Sequence, residues 1–307
     1  MNGRPGTQHD RAAGPDLAAA LAGDGEAFRR LVEPYRRELH LHCYRMLGSF
    51  HDAEDAMQET WLRAWRHLAT YQGRSPFRAW LYRIATNVCL SRRRTTSADR
   101  PLPKILADEV ARGNEQRINL SPYPDALLNE VEATWGNPAA EYDLRESVQL
   151  AFLAAVQLLP PRQRAVLLVR DVLGYSAEET AGLLEATVAS VNSALARARA
   201  TLDQQRAVGR LQMGRMAPAD EVEQYLVQRY VEAWQALDMG KLAALLKSNV
   251  VLTMPPLPLR YTGREAVVDF YARLPFAQGP PLRFLATRAN RQPAVAVYRL
   301  DRDERRY

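Results

Sequence analysis

Five prolines, Pro101, Pro103, Pro122, Pro124 and Pro138, interrupt a chain whose apolar residues otherwise recur at helical spacing. Proline lacks a backbone N–H and its ring clashes with the preceding turn, so no long helix crosses this stretch. The chain therefore divides into a helical part over 16–98, a linker over 99–139 and a second helical part over 140–206. Nine acids stand against four bases over 104–146, and the linker is expected to be acidic and largely extended. A connector over 207–217 leads to a third part, 218–307, in which strand-like runs first appear. With 307 residues, 47% of them hydrophobic, the chain has material for two or three cores. Residues 1–15 contain Gly, Pro and Arg without an apolar stretch, and are expected to be a disordered tail rather than a signal peptide. No apolar run approaches the roughly 20 residues of a membrane span. Cys43 and Cys89 lie in apolar helical patterns without metal-ligand spacing. No metal site, cofactor or disulfide framework is expected, and a reducing cytoplasm is the natural setting.

In the first part, Leu17, Leu21, Phe28, Leu31, Val32, Tyr35, Leu39 and Cys43 recur at helical spacing, broken by Gly23-Asp24-Gly25. A second helix follows Gly48-Ser49-Phe50, and a third runs from Pro76 to about Arg93. Asp52, Glu54, Asp55 and Glu59 occupy the first turns of the second helix. Acids there complement the helix dipole, and they also suit a protein-docking face. The next stretch has the opposite charge. Seven arginines and one acid lie between Arg74 and Arg100, interleaved with Phe77, Trp80 and Tyr82 and preceded by Tyr71. Arginines hold phosphates, and unstacked bases pack on aromatic faces at about 1–3 kcal/mol each, so the pattern fits melted nucleic acid. Phe77 reads as core. Trp80, Arg83 and Asn87 leave the apolar stripe together.

In the second part, 162–202 reads as three short helices. Gln163 to Val172 ends at Gly174. Ser176 and Glu179 have capping-box spacing, and Thr187 is a good N-cap. Ala181, Glu185 and Val191 have helix-turn-helix offsets, with Glu185 where the turn glycine usually stands. With Val188, Val191, Leu195 and Leu202 buried, the last helix presents Ser190, Asn192, Ser193, Ala196 and Arg197. Asn reads adenine, Arg reads guanine, and Ser contacts phosphate or base. Taken alone, a plain three-helix bundle with a solvated face fits as well.

Three stretches together resemble a family. Phe50 to Arg94, FHDAEDAMQETWLRAWRHLATYQGRSPFRAWLYRIATNVCLSRRR, is close to region 2 of extracytoplasmic-function sigma factors of the sigma-70 family. Leu159 to Leu202, LPPRQRAVLLVRDVLGYSAEETAGLLEATVASVNSALARARATL, is close to their region 4. The SPYPDALL and LTMPPLP segments resemble the subgroup with a SnoaL-like C-terminal extension. The resemblance implies a mainly α protein: a region 2 helical bundle, a region 4 helix-turn-helix, and a C-terminal α+β domain of the SnoaL-like, nuclear transport factor 2-like kind. It implies that Asp52, Glu54, Asp55, Gln58 and Glu59 meet the β′ clamp helices of core RNA polymerase, with the β flap a further contact. It assigns Tyr71, Arg74, Arg78, Trp80, Arg83 and Asn87 to melted bases of the minus-ten element. Thr187, Ser190, Asn192, Ser193 and Arg197 fall to the minus-thirty-five element. Relatives often carry Lys and Arg where this chain has Asn192 and Ala194. Promoter DNA and core polymerase are the implied partners, with an anti-sigma factor and a small ligand of the C-terminal domain as further ones.

In the third part, a helix carrying Val222, Tyr225, Leu226, Tyr230 and Trp234 is followed by a short helix after Asp238. Val250 to Met254 and Val295 to Leu300 read as strands. Asp238 reads as a helix start and Asp269 lies on a helix, so no Asp/His pair for acid–base chemistry emerges. The chain stops short of the last strands such a fold carries. A regulatory domain, not an enzyme, is expected. Two alternatives belong to other classes: a stand-alone helix-turn-helix regulator, and a SnoaL-like enzyme with a DNA-binding appendage. A regulator that binds duplex alone needs neither the acidic helix nor a melted-strand platform.

Overall fold

Helices start and stop where the sequence supplies capping groups. In the computed structural model, which describes residues 14–92, 120–135, 150–207, 221–253, 259–273 and 282–299, α1 spans Gly14–Leu21 and α2 Gly25–Val32. Between them Gly23 takes φ 98, and the Asp24 carboxylate accepts from the Glu26 and Ala27 amides at 2.9 and 3.1 Å. After a 3₁₀ turn, Glu33–Tyr35, α3 runs over Arg36–Leu47 and stops at Gly48, whose φ of 77 favours glycine. Helix α4, Phe50–His67, is capped by Ser49, and α5 spans Phe77–Ser91. α1 starts two residues inside the expected tail. Residues 1–13 lie outside the described residues, as do 93–119, 136–149, 208–220, 254–258, 274–281 and 300–307, and with them the expected loop Pro255 to Pro258 and Met254 and Leu300 of the expected strands.

Helix α3 is the centre of the first module. Leu39, Leu41, Cys43 and Tyr44 are fully buried, and so are the polar His42 and Arg45. A helix apolar on most sides must be surrounded, and α4 and α5 pack on it. Phe77 is core, as expected. Both cysteines are buried free thiols.

The linker departs from its expected extended form. Tyr123 is fully buried, with its ring 4.8 Å from Tyr44 and 5.3 Å from Phe50. Ser121 donates its amide to Gly48 O at 2.8 Å, and its hydroxyl accepts from the Phe50 amide at 2.7 Å. Helix α6, Asp125–Trp135, follows. Pro122 and Pro124 precede the helix rather than interrupt it, so they do not bar a helix after them.

In the second module α7 spans Leu150–Gln157 and α8 Pro161–Leu167, continuing as a π turn over Leu168–Val172. Helix α9, Ala177–Leu183, carries the expected capping box of Ser176 and Glu179, and α10 runs over Val188–Ala207. The two modules belong to one compact unit.

The third part belongs to a separate unit. It contains α11, Glu221–Gln235, and α12, Met239–Leu245. Strand β1, Val251–Thr253, pairs antiparallel with β2, Arg260–Thr262, which leads into α13, Arg264–Arg273. Strands β3, Leu282–Ala289, and β4, Gln292–Arg299, form a hairpin. Asn290 and Arg291 both take positive φ, 54 and 59, as a two-residue turn of this kind demands. Trp234 stacks on Phe284 at 5.6 Å, so one face of α11 covers the hairpin. The β3 strand went unread because only Phe284 of its residues is buried. Among the described residues no helix is long and apolar enough to cross a membrane.

Candidate functional site

The acidic face is set by the start of α4. Ser49 fixes that start by accepting from the Asp52 amide at 3.3 Å. From there Ala53, Ala56, Met57 and Thr60 point inward, which turns Glu54, Asp55 and Gln58 out to solvent. Asp52 and Glu59 are half-buried beside them. Local cations hold part of this charge: Arg92 meets Asp55 at 3.0 Å and Arg63 meets Glu59 at 2.6 Å. The first contact is solvent-exposed and the second partly so, and exposed pairs contribute little to stability. The face keeps its acidic character and stays accessible.

The loop between α4 and α5 carries an aromatic platform. Gly73 allows its turn with φ 68, and the Tyr71 hydroxyl donates to Ser75 O at 2.9 Å. Tyr71, Phe77 and Trp80 form a triad: Phe77 and Trp80 stack at 5.3 Å, and Tyr71 lies 5.2 and 5.5 Å from them. A cavity of about 360 Å³ opens beside it, lined by Leu17, Tyr71, Gly73, Arg74, Pro76 and Phe77 among others. Arg74 is exposed at its edge, and Asn87 is half-buried along α5.

Two arginines expected on this surface are differently engaged. Arg78 is largely buried and forks onto Glu38, with Nη2 at 2.7 Å and Nε at 2.9 Å from its oxygens. It also donates to the Tyr175 hydroxyl at 3.3 Å and lies over the Tyr82 ring. Glu38, 40 positions away along the chain, gave no signal in a linear pattern. In this arrangement Arg78 holds α5 to α3. Arg83 is exposed but pairs with Glu185 of the second module.

The helix-turn-helix is built as its offsets predicted. Ala181 and Val191 are buried, and Glu185 takes φ 51 in the turn, where the backbone favours glycine. Thr187 caps α10 by accepting from the Ser190 amide at 3.1 Å. Leu195 and Leu202 are buried, which leaves Ser190, Asn192, Ser193, Ala196 and Arg197 exposed on one face. Val188, at the first position of α10, is not buried as expected but 37% exposed. Ala194 is buried, so it belongs to the packing face, not to the reading face.

Sequence reasoning missed Tyr123, Gln157 and Arg164. Arg164 is 4% exposed on α8. Its spacing from the buried Leu167 and Leu168 placed it on the apolar stripe, and that was the available signal.

In the third part, Asp238 accepts from the Lys241 amide at 2.9 Å as an N-cap, and Asp269 pairs with Arg273 at 2.6 Å. Tyr230, Trp234, Tyr271 and Phe284 form an aromatic cluster.

Comparison with known proteins agrees with this architecture. Residues 31–98 match the Sigma-70 region 2 family, 149–202 the Sigma-70 region 4 family, and 227–305 the SnoaL-like domain family. The chain is 41% identical over 299 residues to the ECF RNA polymerase sigma factor SigG of Mycobacterium tuberculosis, covering 93% of this chain and 76% of that one. It is 31% identical over 197 residues to SigM of the same species, covering 64% and 86%. The Mycobacterium tuberculosis extracytoplasmic function sigma factor SigJ shares the fold, with a TM-score of 0.51 at 21% identity over 86% of this chain and 81% of that one. The helical bundle with its acidic face, the helix-turn-helix and the SnoaL-like part occur in the same order along one chain, and the protein belongs to the extracytoplasmic-function RNA polymerase sigma factors.

Proposed function

We propose that this sigma factor docks on the β′ clamp helices of core RNA polymerase through Asp52, Glu54, Asp55, Gln58 and Glu59, with a further contact of the second module on the β flap. The acids of α4 support this most directly, because they form one face on which Glu54, Asp55 and Gln58 are exposed to solvent. The platform of Tyr71 and Trp80, with Arg74, Arg83 and Asn87, takes melted bases of the minus-ten element. The cavity beside it, about 360 Å³, is at the small end of ligand pockets and suits one planar group. Ser190, Asn192, Ser193 and Arg197 read the minus-thirty-five element in duplex form, while Thr187 sets the start of their helix. Such a protein works in the cytoplasm, where polymerase and promoter are.

Residues 218–307 regulate and do not turn over a substrate. Asp238 and Asp269 are occupied in capping and ion pairing. The Tyr230, Trp234, Tyr271 and Phe284 cluster suits a small apolar ligand. An anti-sigma factor would act on the same polymerase-binding surfaces.

Charge reversal at Asp52 and Asp55 tests the docking assignment. The double Lys variant should bind core polymerase at least about tenfold more weakly, since like charges would face the clamp. Equal binding by variant and wild type, with both folded by circular dichroism, removes these residues from the interface. Run-off transcription on a promoter library, with core enzyme present and absent, separates a sigma factor from a stand-alone regulator.

A further inference from the structure

The cavity beside the aromatic platform has walls of two origins. One is the loop between α4 and α5, with Tyr71, Arg74 and Ser75, continued by Phe77 at the start of α5. The other is α1, which contributes Gly14 and Leu17. Neither α1 residue lies within 31–98, the stretch that matches the region 2 family.

The position of α1 follows from its sequence. Ala20 is 3% exposed, and Leu17 and Ala19 pack at the edge of the first core. The turn at Gly23 and the Asp24 cap fold α1 back against α2. There Arg30 donates to Asp16 at 2.9 and 3.1 Å. That pair is exposed and adds little, so the apolar contacts hold the helix in place. Side chains on a helix lean toward its N-terminus. Leu17 therefore leans over the turn that starts at Gly14. Gly14 offers backbone alone, so Leu17 supplies the side chain of this wall.

The two walls discriminate by different physics. Arg74 and Ser75 carry donors and acceptors that suit phosphate or a base edge. Tyr71 and Phe77 carry aromatic faces. An isobutyl group has no polar atom. It selects by shape, and in a closed pocket one methylene is worth about tenfold or more.

Resting on the assignment of the platform to melted minus-ten bases, we propose that Leu17 is a specificity-determining residue. It closes the α1 side of the cavity and sets the size of the unstacked base that enters.

The test uses the full chain with core RNA polymerase and a pool of single-stranded dodecamers of randomised sequence, whose bound fraction is sequenced. Leu17→Ala deepens the cavity and should raise the purine-to-pyrimidine ratio at one position by about tenfold. Leu17→Phe fills the cavity and should lower the ratio at that same position. Other positions should keep their preferences. Leu21→Ala changes a residue one turn on, 50% exposed and outside the cavity, and should match wild type. Tyr71→Ala should weaken binding at least about fivefold, the loss of stacking on one base. A misplaced α1 weakens all sequences evenly, so an even loss in both Leu17 variants overturns the proposal. So does an unchanged ratio at every position while Tyr71→Ala binds weakly. If Tyr71→Ala and both Leu17 variants all match wild type, the platform assignment falls and the proposal falls with it.

Discussion

Arg197 and His42 show how burial sorts residues of similar chemistry into different work. Arg197 lies on the exposed face of α10 with Asn192 and Ser193. Arg197→Ala should cost about 1–3 kcal/mol at a single promoter position if it reads a base, or weaken all sequences evenly if it holds a phosphate. A promoter-variant binding scan decides between them, and no change in either quantity excludes Arg197 from the interface. His42 is fully buried, its Nε2 paired with Thr86 Oγ1 at 2.9 Å. Burial, followed by Arg45 and Arg78, pushes its pKa down from 6.5 to about 3. Burial likewise pushes His40 down to about 4. Both are neutral in the fold, while the unfolded chain takes up protons below pH 6.5. Their stabilisation is complete above that pH and is lost as pH falls toward their folded values. The slope is about 1.4 kcal/mol per pH unit for each group. Urea midpoints should therefore fall between about pH 7 and about pH 5, and His42→Gln should flatten the fall. An equally steep loss in that variant would assign the acid sensitivity elsewhere.

At the scale of elements, the chain around Tyr123 shows most clearly how a segment acquires structure from its neighbours. Nothing in SPYPD is periodic, yet Tyr123 enters the first module beside Tyr44, Phe50 and His40, and its ring lies 5.5 Å from His40. His40 Nδ1 and the tyrosine hydroxyl are 2.8 Å apart. Helix α6 follows directly, joined to α3 through Arg37 and Glu130 at 2.5 Å. Removing a buried aromatic from a core typically costs about 3–5 kcal/mol. Tyr123→Ala should lower stability by about 3 kcal/mol in urea unfolding and expose residues 120–135 to limited proteolysis. Retained protection would mean that α6 is held by its own contacts. Capping, by contrast, was readable in place. Ser49, Asp24, Thr187 and the Ser176–Glu179 box satisfy amides within three residues of themselves.

At the scale of the whole molecule, the SnoaL-like part belongs to a compact unit separate from that of the two sigma modules. Ending the chain after Ala207 leaves both sigma modules and removes residues 218–307. If that part regulates, run-off transcription with core polymerase should change severalfold at matched concentration, in either direction. Unchanged output would leave the SnoaL-like part without a regulatory role. An isolated pool of small metabolites that shifts the activity of the full chain but not of the truncated one would locate the ligand there.

Helix positions, caps, the helix-turn-helix offsets and the acidic and aromatic-basic stretches follow from the sequence by itself, because each is a pattern within one short continuous stretch. The family was legible for the same reason, since its motifs are local strings. The tertiary structure decided which charges are free. Arg78, Arg83 and Arg164 are one residue type in similar helical settings, but their acceptors lie on Glu38, Glu185 and the carbonyl of Met46. Those partners are separated from them by 40, 102 and 118 positions. A periodic pattern says which face a side chain occupies. Only chain folding brings a distant acceptor to that face, and the desolvation of both groups then makes the pairing specific.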